Sequence, residues 1–132
     1  MKIYNITNPM QYLSLQACDN INVLWLDDER DPSRYFYPKT LNKMSIDIAR
    51  NYKEFIEFIR DGKYANYDMI CLDHDLGEEN TGYDCVMELY KEYKSHKQSC
   101  GDIFIHTGNP GGKKRMMMVL DKIVARENQK RM

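Results

Sequence analysis

Four short apolar runs separated by helical patterns constrain this chain more than any other feature. They are "INVLWL" (Ile21 to Leu26), "MSIDI" (Met44 to Ile48), "MICL" (Met69 to Leu72) and "IFI" (Ile103 to Ile105). Three are near-continuous in apolar character, as strands covered on both faces are, whereas the second alternates and reads as an edge strand. Tyr52, Phe55, Ile56 and Ile59 then recur at i, i+3, i+4 and i+7, and the pattern closes at Gly62, where a helix with a C′ glycine ends. Val86, Leu89, Tyr90 and Tyr93 repeat that spacing behind Thr81, a helix-capping residue type, and Met116, Val119, Leu120 and Ile123 form a third set. Strands alternating with helices of this length predict parallel βαβ units with right-handed crossovers, the four runs lying in the order 2-1-3-4.

Two segments depart from this scheme. The connection "DDERDPSRYFYPKTLNK" carries Pro32 and Pro38 and no sustained helical period, so it is expected to be mostly irregular. The first 20 residues either hold a short helix beginning at Asn8 and Pro9 or extend the sheet with "KIYNI". At 132 residues the chain has room for one core, which assigns residues 1–20 to an N-terminal extension and 21–132 to the domain.

Composition excludes some partners. With 19 basic against 20 acidic residues, bulk charge gives no reason to expect duplex nucleic acid or a membrane surface. No window approaches the roughly 18 apolar residues of a membrane span, and a cytoplasmic location is expected. Cys18, Cys71, Cys85 and Cys100 lack CxxC spacing and read as free thiols. The tyrosines are scattered and suggest no base-stacking platform, while Arg126, Lys130 and Arg131 read as a solvated helix end. The abundance of Asn, Lys, Tyr and Ile is compatible with an AT-rich phage genome.

In a parallel α/β sheet, polar residues that follow strands emerge at the carboxyl edge, where ligands bind. Here the strands end in Asp27 and Asp28, in Asp73, His74 and Asp75, and in His106 and Thr107. Carboxylates gathered this way repel one another unless a cation or a shared proton joins them, and oxygen ligands of this kind suit Mg²⁺ or Mn²⁺. His74 and His106 either face each other across a phosphate as general acid and base or pack at strand ends as structural rings. After the last strand, "HTGNPGGKKR" brings Lys113, Lys114 and Arg115 to a helix N-terminus, which is either a phosphate site or a solvated basic patch. Asn109 either donates to a phosphate oxygen or makes the turn.

"VLWLDDE", "DMICLD" and "IFIHTG" resemble a response-regulator receiver domain. On that resemblance Asp27 and Asp28 match the metal-binding pair, Asp73 the phospho-accepting aspartate and Thr107 the switch hydroxyl. The chain departs from that pattern in lacking the fifth strand and its lysine, in replacing the first helix by the proline-containing connection, and in carrying two histidines. Those departures are similar to the cyclic-phosphate-processing receiver-like domains. The matching blocks are "LDDER", "LDHDLG" with "TGYD", and "HTGNPGG", with Thr107 where that group has serine. The resemblance implies a truncated flavodoxin-like α/β fold and a metal-assisted hydrolase of a cyclic phosphate, either an RNA 2′,3′-cyclic phosphate end or a cyclic nucleotide signal. It implies Asp27, Asp28, Asp73 and Asp75 as the acidic metal-binding set, with His74 and His106 as acid and base beside Asp73. Arg30 either clamps a phosphate oxygen or is occupied by Asp31. Two other functions fit the same residues: a non-catalytic receiver phosphorylated on Asp73, and a module that sequesters a cyclic nucleotide intact.

Overall fold

The computed structural model describes residues 3–4, 20–99 and 101–130. Its core is one parallel sheet of five strands, β1 (Ile3–Tyr4), β2 (Ile21–Leu26), β3 (Met44–Ala49), β4 (Met69–Leu72) and β5 (Asp102–Ile105), in the order β1-β5-β4-β2-β3. The four runs read from sequence thus lie in the expected order 2-1-3-4. The fifth place, beside β5, is filled from the N-terminus by Ile3 and Tyr4, which pair with Ile103 and Phe104. The alternative of a helix from Asn8 lies outside the described residues.

The helices are α1 (Pro38–Leu41), α2 (Tyr52–Ile59), α3 (Gly82–His96) and α4 (Pro110–Lys130). Leu24, Leu26, Ile70, Leu72, Ile103 and Ile105 point from one sheet face into the cluster that holds Phe55 and Ile59 of α2, Val86 and Leu89 of α3, and Met116 and Leu120 of α4. Val23, Trp25, Met69, Cys71 and Phe104 alternate to the other face, where Phe36 from the proline-containing connection covers them. That connection holds only the 3-10 turn Pro32–Arg34 and the four-residue α1, because proline at the first position starts each turn and nothing in the sequence sustains it. The thiols Cys71 and Cys85 are free and buried, and burial pushes both of their pKa values up. Among the described residues no helix is long and apolar enough to cross a membrane.

Local chemistry sets the helix ends. Asn51 accepts the Glu54 N–H at 2.9 Å and starts α2. That helix ends at Ile59, three residues before the expected glycine stop. The left-handed turn is shared by Asp61 (φ 59°) and Gly62 (φ 80°), and the Gly62 N–H donates to Glu92 of α3 at 2.9 Å instead of capping α2. Thr81 begins α3, its N–H donating to Asp84 at 2.8 Å. The Gly82 N–H donates to the His74 carbonyl at 2.7 Å, and a Cβ there would stand 1.9 Å from the Asp73 carbonyl oxygen. The first turn of α3 is therefore pressed against the backbone that leaves β4. Gly82→Ala is expected to cost about 2 kcal/mol or more, since backbone must move on both sides of the contact; a lowered urea midpoint at unchanged m-value checks it.

Candidate active site at the carboxyl edge

The register of the sheet builds the site. Leu26 is paired with both Ala49 and Leu72, and Leu72 with Ile105, so the last residues of four strands stand in one row. The ladder runs one residue further: Asp27 N–H donates to Ala49, Asp73 N–H to Leu26, and His106 N–H to Leu72, at 3.2, 3.1 and 3.0 Å. Asp27, Arg50, Asp73 and His106 consequently leave the sheet side by side.

Asp27 is fully buried and fully engaged. Its Oδ1 accepts the N–H groups of Glu29 and Arg30 at 3.0 and 2.9 Å. Its Oδ2 faces His106 Nε2 at 3.3 Å and Arg30 Nε at 3.3 Å. Burial raises its pKa, but the His106 hydrogen bond and the two backbone donors outweigh that and bring it down to about 2. Asp73 has the opposite balance. Burial and then the charge on Asp27 push it up, against one N–H from His74 at 2.8 Å and the Arg30 guanidinium 3.9 Å away. Asp28 is half-buried, and Gly77 (φ 66°) passes so close that a Cβ there would lie 3.0 Å from Asp28 Oδ2. Oxygens of Asp27, Asp28 and Asp73 lie within 4.8 Å of one another.

Asp75 stands apart from that triad as an exposed residue. Its Oδ1 faces His74 Nδ1 at 2.9 Å, which places the proton on Nδ1, and accepts from Asn109 Nδ2 at 3.4 Å. Burial alone does not set its pKa, which the His74 hydrogen bond lowers first of all. The His74 ring is wedged beneath α4, where a Cβ on Gly112 would come within 2.4 Å of ring carbons. Asn109 caps that helix, its Oδ1 accepting the Gly112 N–H at 2.9 Å.

His106 lies on the other face of the sheet. It stacks on Trp25 with centroids 4.5 Å apart, has Tyr35 at 5.7 Å, and its Nδ1 is buried without a hydrogen-bond partner. The two histidines therefore do not face each other across one space, contrary to the acid-and-base pairing expected of them. The cause is strand parity: His106 follows the inward-outward alternation of Phe104, and His74 that of Leu72.

An open cleft of about 540 Å³ crosses the strand ends, walled by Asp28, Arg30, Asp73, Asp75 and Thr107. His74, His106, Asn109, Lys113 and Lys114 are not in its wall; Lys113 is half-buried and Lys114 exposed on the first turn of α4. Arg30 turns toward Asp27, Asp73 and the Tyr35 hydroxyl, which it donates to at 2.8 Å. Asp31 is held by Arg50 instead, so the expected competition for Arg30 does not arise. Arg50 is the residue that sequence reasoning missed. Besides pairing with Asp31, its Nη1 donates to the carbonyls of Asp27 and Arg30 at 3.1 and 2.9 Å, and Trp25 Nε1 donates to the Arg30 carbonyl at 3.0 Å. Its one signal was its place, the first residue after β3.

A parallel α/β sheet with an acidic cluster at the ends of its first and third sequence-predicted strands defines a receiver-like domain. The profile of the cyclic-phosphate processing receiver domain matches residues 22–122. The chain belongs to that family. No curated protein matches it. Among solved structures, a fusion carrying a yeast Spc42 trimeric coiled coil, amino acids 181–211, is similar with a TM-score of 0.54 and 16% identity over 77% of this chain. That match spans 63% of the fusion's length, and at this identity it speaks to the fold alone.

The two buried aspartates make a paired prediction for the metal-free protein. The folded-state pKa of Asp27 lies below its ordinary value, so Asp27 stabilises the fold above about pH 4, by about 2 kcal/mol, and that contribution is lost as pH falls toward 2. The pKa of Asp73 is raised, so its charge destabilises the fold at neutral pH. Thermal unfolding at pH 7 in EDTA is expected to show a lower Tm for Asp27→Asn and a higher one for Asp73→Asn.

Proposed function

We propose that the chain opens a cyclic phosphodiester to a linear phosphomonoester by metal-assisted hydrolysis, and the observation that carries this is the gathering of the oxygens of buried Asp27 and of Asp28 and Asp73, which wall the cleft, within 4.8 Å of one another. The family to which the chain belongs processes cyclic phosphates, which supplies the substrate class. The donor set fits a hard divalent cation, Mg²⁺ or Mn²⁺. Asp28 and Asp73 both wall the cleft, and no donor reaches Asp28 among the described residues, whereas the oxygens of Asp27 are already occupied. Charge argues the same way. Four carboxylates, Asp28, Glu29, Asp73 and Asp75, meet one guanidinium in the wall, a field that repels a phosphate unless a cation enters with it. Such an ion supplies charge neutralisation and polarises a phosphoryl oxygen.

The chain's own groups divide the remaining work. Arg30, about one-third exposed at its side chain, presents donors to a phosphate oxygen while its other edge stays on Asp27. Thr107 Oγ1 accepts the Asn109 N–H at 3.2 Å, which leaves its hydroxyl proton free to point into the cleft. Asp75, on the cleft wall with the His74 Nδ1–H behind it, forms with His74 the acid–base pair that takes the proton of the attacking water and returns one to the leaving ribose oxygen. His106 is a positioning residue, holding Asp27 from behind. Asn109 orients the His74–Asp75 pair by donating to Asp75, and caps α4. Lys113 and Lys114 have no part in the cleft.

The test is release of linear monophosphate from 2′,3′-cyclic and 3′,5′-cyclic nucleotides with Mn²⁺ or Mg²⁺. Asp28→Asn, Asp73→Asn and Asp75→Asn are each expected to lower the rate by about 100-fold or more, and Lys114→Ala to leave it unchanged. Full turnover in EDTA, or in Asp73→Asn, overturns the reading. Tight binding with the cyclic ligand recovered intact identifies a sequestering module instead, and a base-labile mass gain on Asp73 a phospho-receiver.

A further inference from the structure

The helical face formed by α3 and α4 carries a cluster of cations that the cleft does not use. The half-buried ring of Tyr90 is surrounded by Lys94 Nζ at 4.6 Å, Arg126 Cζ at 5.7 Å and Lys122 Nζ at 6.0 Å from its centroid. All three cations are exposed, and none is ion-paired to a carboxylate among the described residues. Alongside lies a hollow of about 310 Å³ lined by Tyr93, Lys97, Arg126, Gln129 and Lys130, with Lys130 Nζ 5.0 Å from the Tyr93 ring. The acidic residues at hand do not neutralise it. Glu127 is buried and taken up by the Tyr93 and Ser99 hydroxyls, both at 2.5 Å, with Lys130 at 3.4 Å, and Asp121 is a single exposed carboxylate on α4.

Four cations against two tyrosine rings, with Lys97 beside them in the hollow, on a chain with a net charge of -1, are a local excess that Glu127 at Lys130 and the cation–π contacts offset only in part. We propose that this face binds single-stranded nucleic acid through its phosphates, with a nucleotide seated in the hollow between α3 and α4. The exposed Lys94, Lys122 and Arg126 beside the half-buried Tyr90 ring favour that ligand over an acidic protein, because phosphate donors stand next to aromatic surface there, whereas Tyr93 is buried and lines the hollow without a free face. The face is separate from the acidic cleft. Helix α4, of 21 residues, begins beside the cleft at Pro110 and ends in the hollow at Lys130, a span of about 30 Å at the α-helical rise. Binding there requires neither the metal nor a cyclic phosphate.

Fluorescence anisotropy of a labelled oligouridylate of about 12 nucleotides ending in a 3′-hydroxyl, with the full chain in EDTA, tests the face without engaging the cleft. The expected result is saturable binding that weakens more than about tenfold between 50 and 200 mM salt, as about three phosphate contacts predict. The exposed-surface variant Lys94→Ala/Lys122→Ala/Arg126→Ala is expected to bind at least tenfold more weakly, and Asp73→Asn to bind as the parent does. Absence of binding, or equal binding by the triple variant, overturns the proposal. So does displacement of the oligonucleotide by polyglutamate at equal charge concentration, which identifies an acidic protein as the partner.

Discussion

The parallel register that ends four strands in one row is the constraint on which the rest of the molecule depends. Leu26, Ala49, Leu72 and Ile105 are buried hydrophobes paired across the sheet, and the next residue of each strand has no freedom to be elsewhere. Two of those next residues are aspartates. The hydrophobic effect acting on the apolar runs therefore forces Asp27 and Asp73 together against their own repulsion. Everything around them bears on that conflict: two backbone N–H groups and an imidazole on Asp27, a single N–H on Asp73, and the Arg30 guanidinium shared between them. Asp27 is stabilised as an anion and Asp73 is not, so the site stores its unfavourable charge on the residue that walls the cleft.

Much of this was legible in the chain. The apolar runs marked the four strands and their order, and the acidic residues at their ends marked the edge where the site lies. Thr81 marked one helix start. What escaped reading depended on direction more than on residue type. The opposite placement of His74 and His106 follows from counting parity back to Leu72 and Phe104, a signal that is present in the sequence but is lost when strand-end residues are treated as one group. Lys113 and Lys114 looked like phosphate ligands because they open a helix, yet the Asn109 cap and the seating of Gly112 on His74 fix the start of α4 so that neither faces the cleft. Arg50 was invisible for a different reason. Its partners are two backbone carbonyls and Asp31, and backbone carbonyls have no sequence signature.

The two sheet faces divide the chemistry between a rigid side and an adjustable one. His106 sits in an aromatic box of Trp25 and Tyr35 behind Asp27, and Trp25 also holds the loop at the Arg30 carbonyl. His74 instead faces an exposed carboxylate and is wedged beneath the first turn of α4. A change in the seating of that helix is transmitted to Asp75 through one ring and one amide, whereas the buried side has no such lever.

The pairing of Ile3 with Ile103 has a consequence for the order in which this sheet assembles. Its first strand has its only described neighbour in its last, so the contact that finishes the edge is the one of greatest separation along the chain, and it carries the largest loop-closure cost. During synthesis β1 emerges first and waits for β5, while β2, β3 and β4 already have one another. Edge closure is therefore a late event, and the strand that it protects is the one that carries His106 to Asp27.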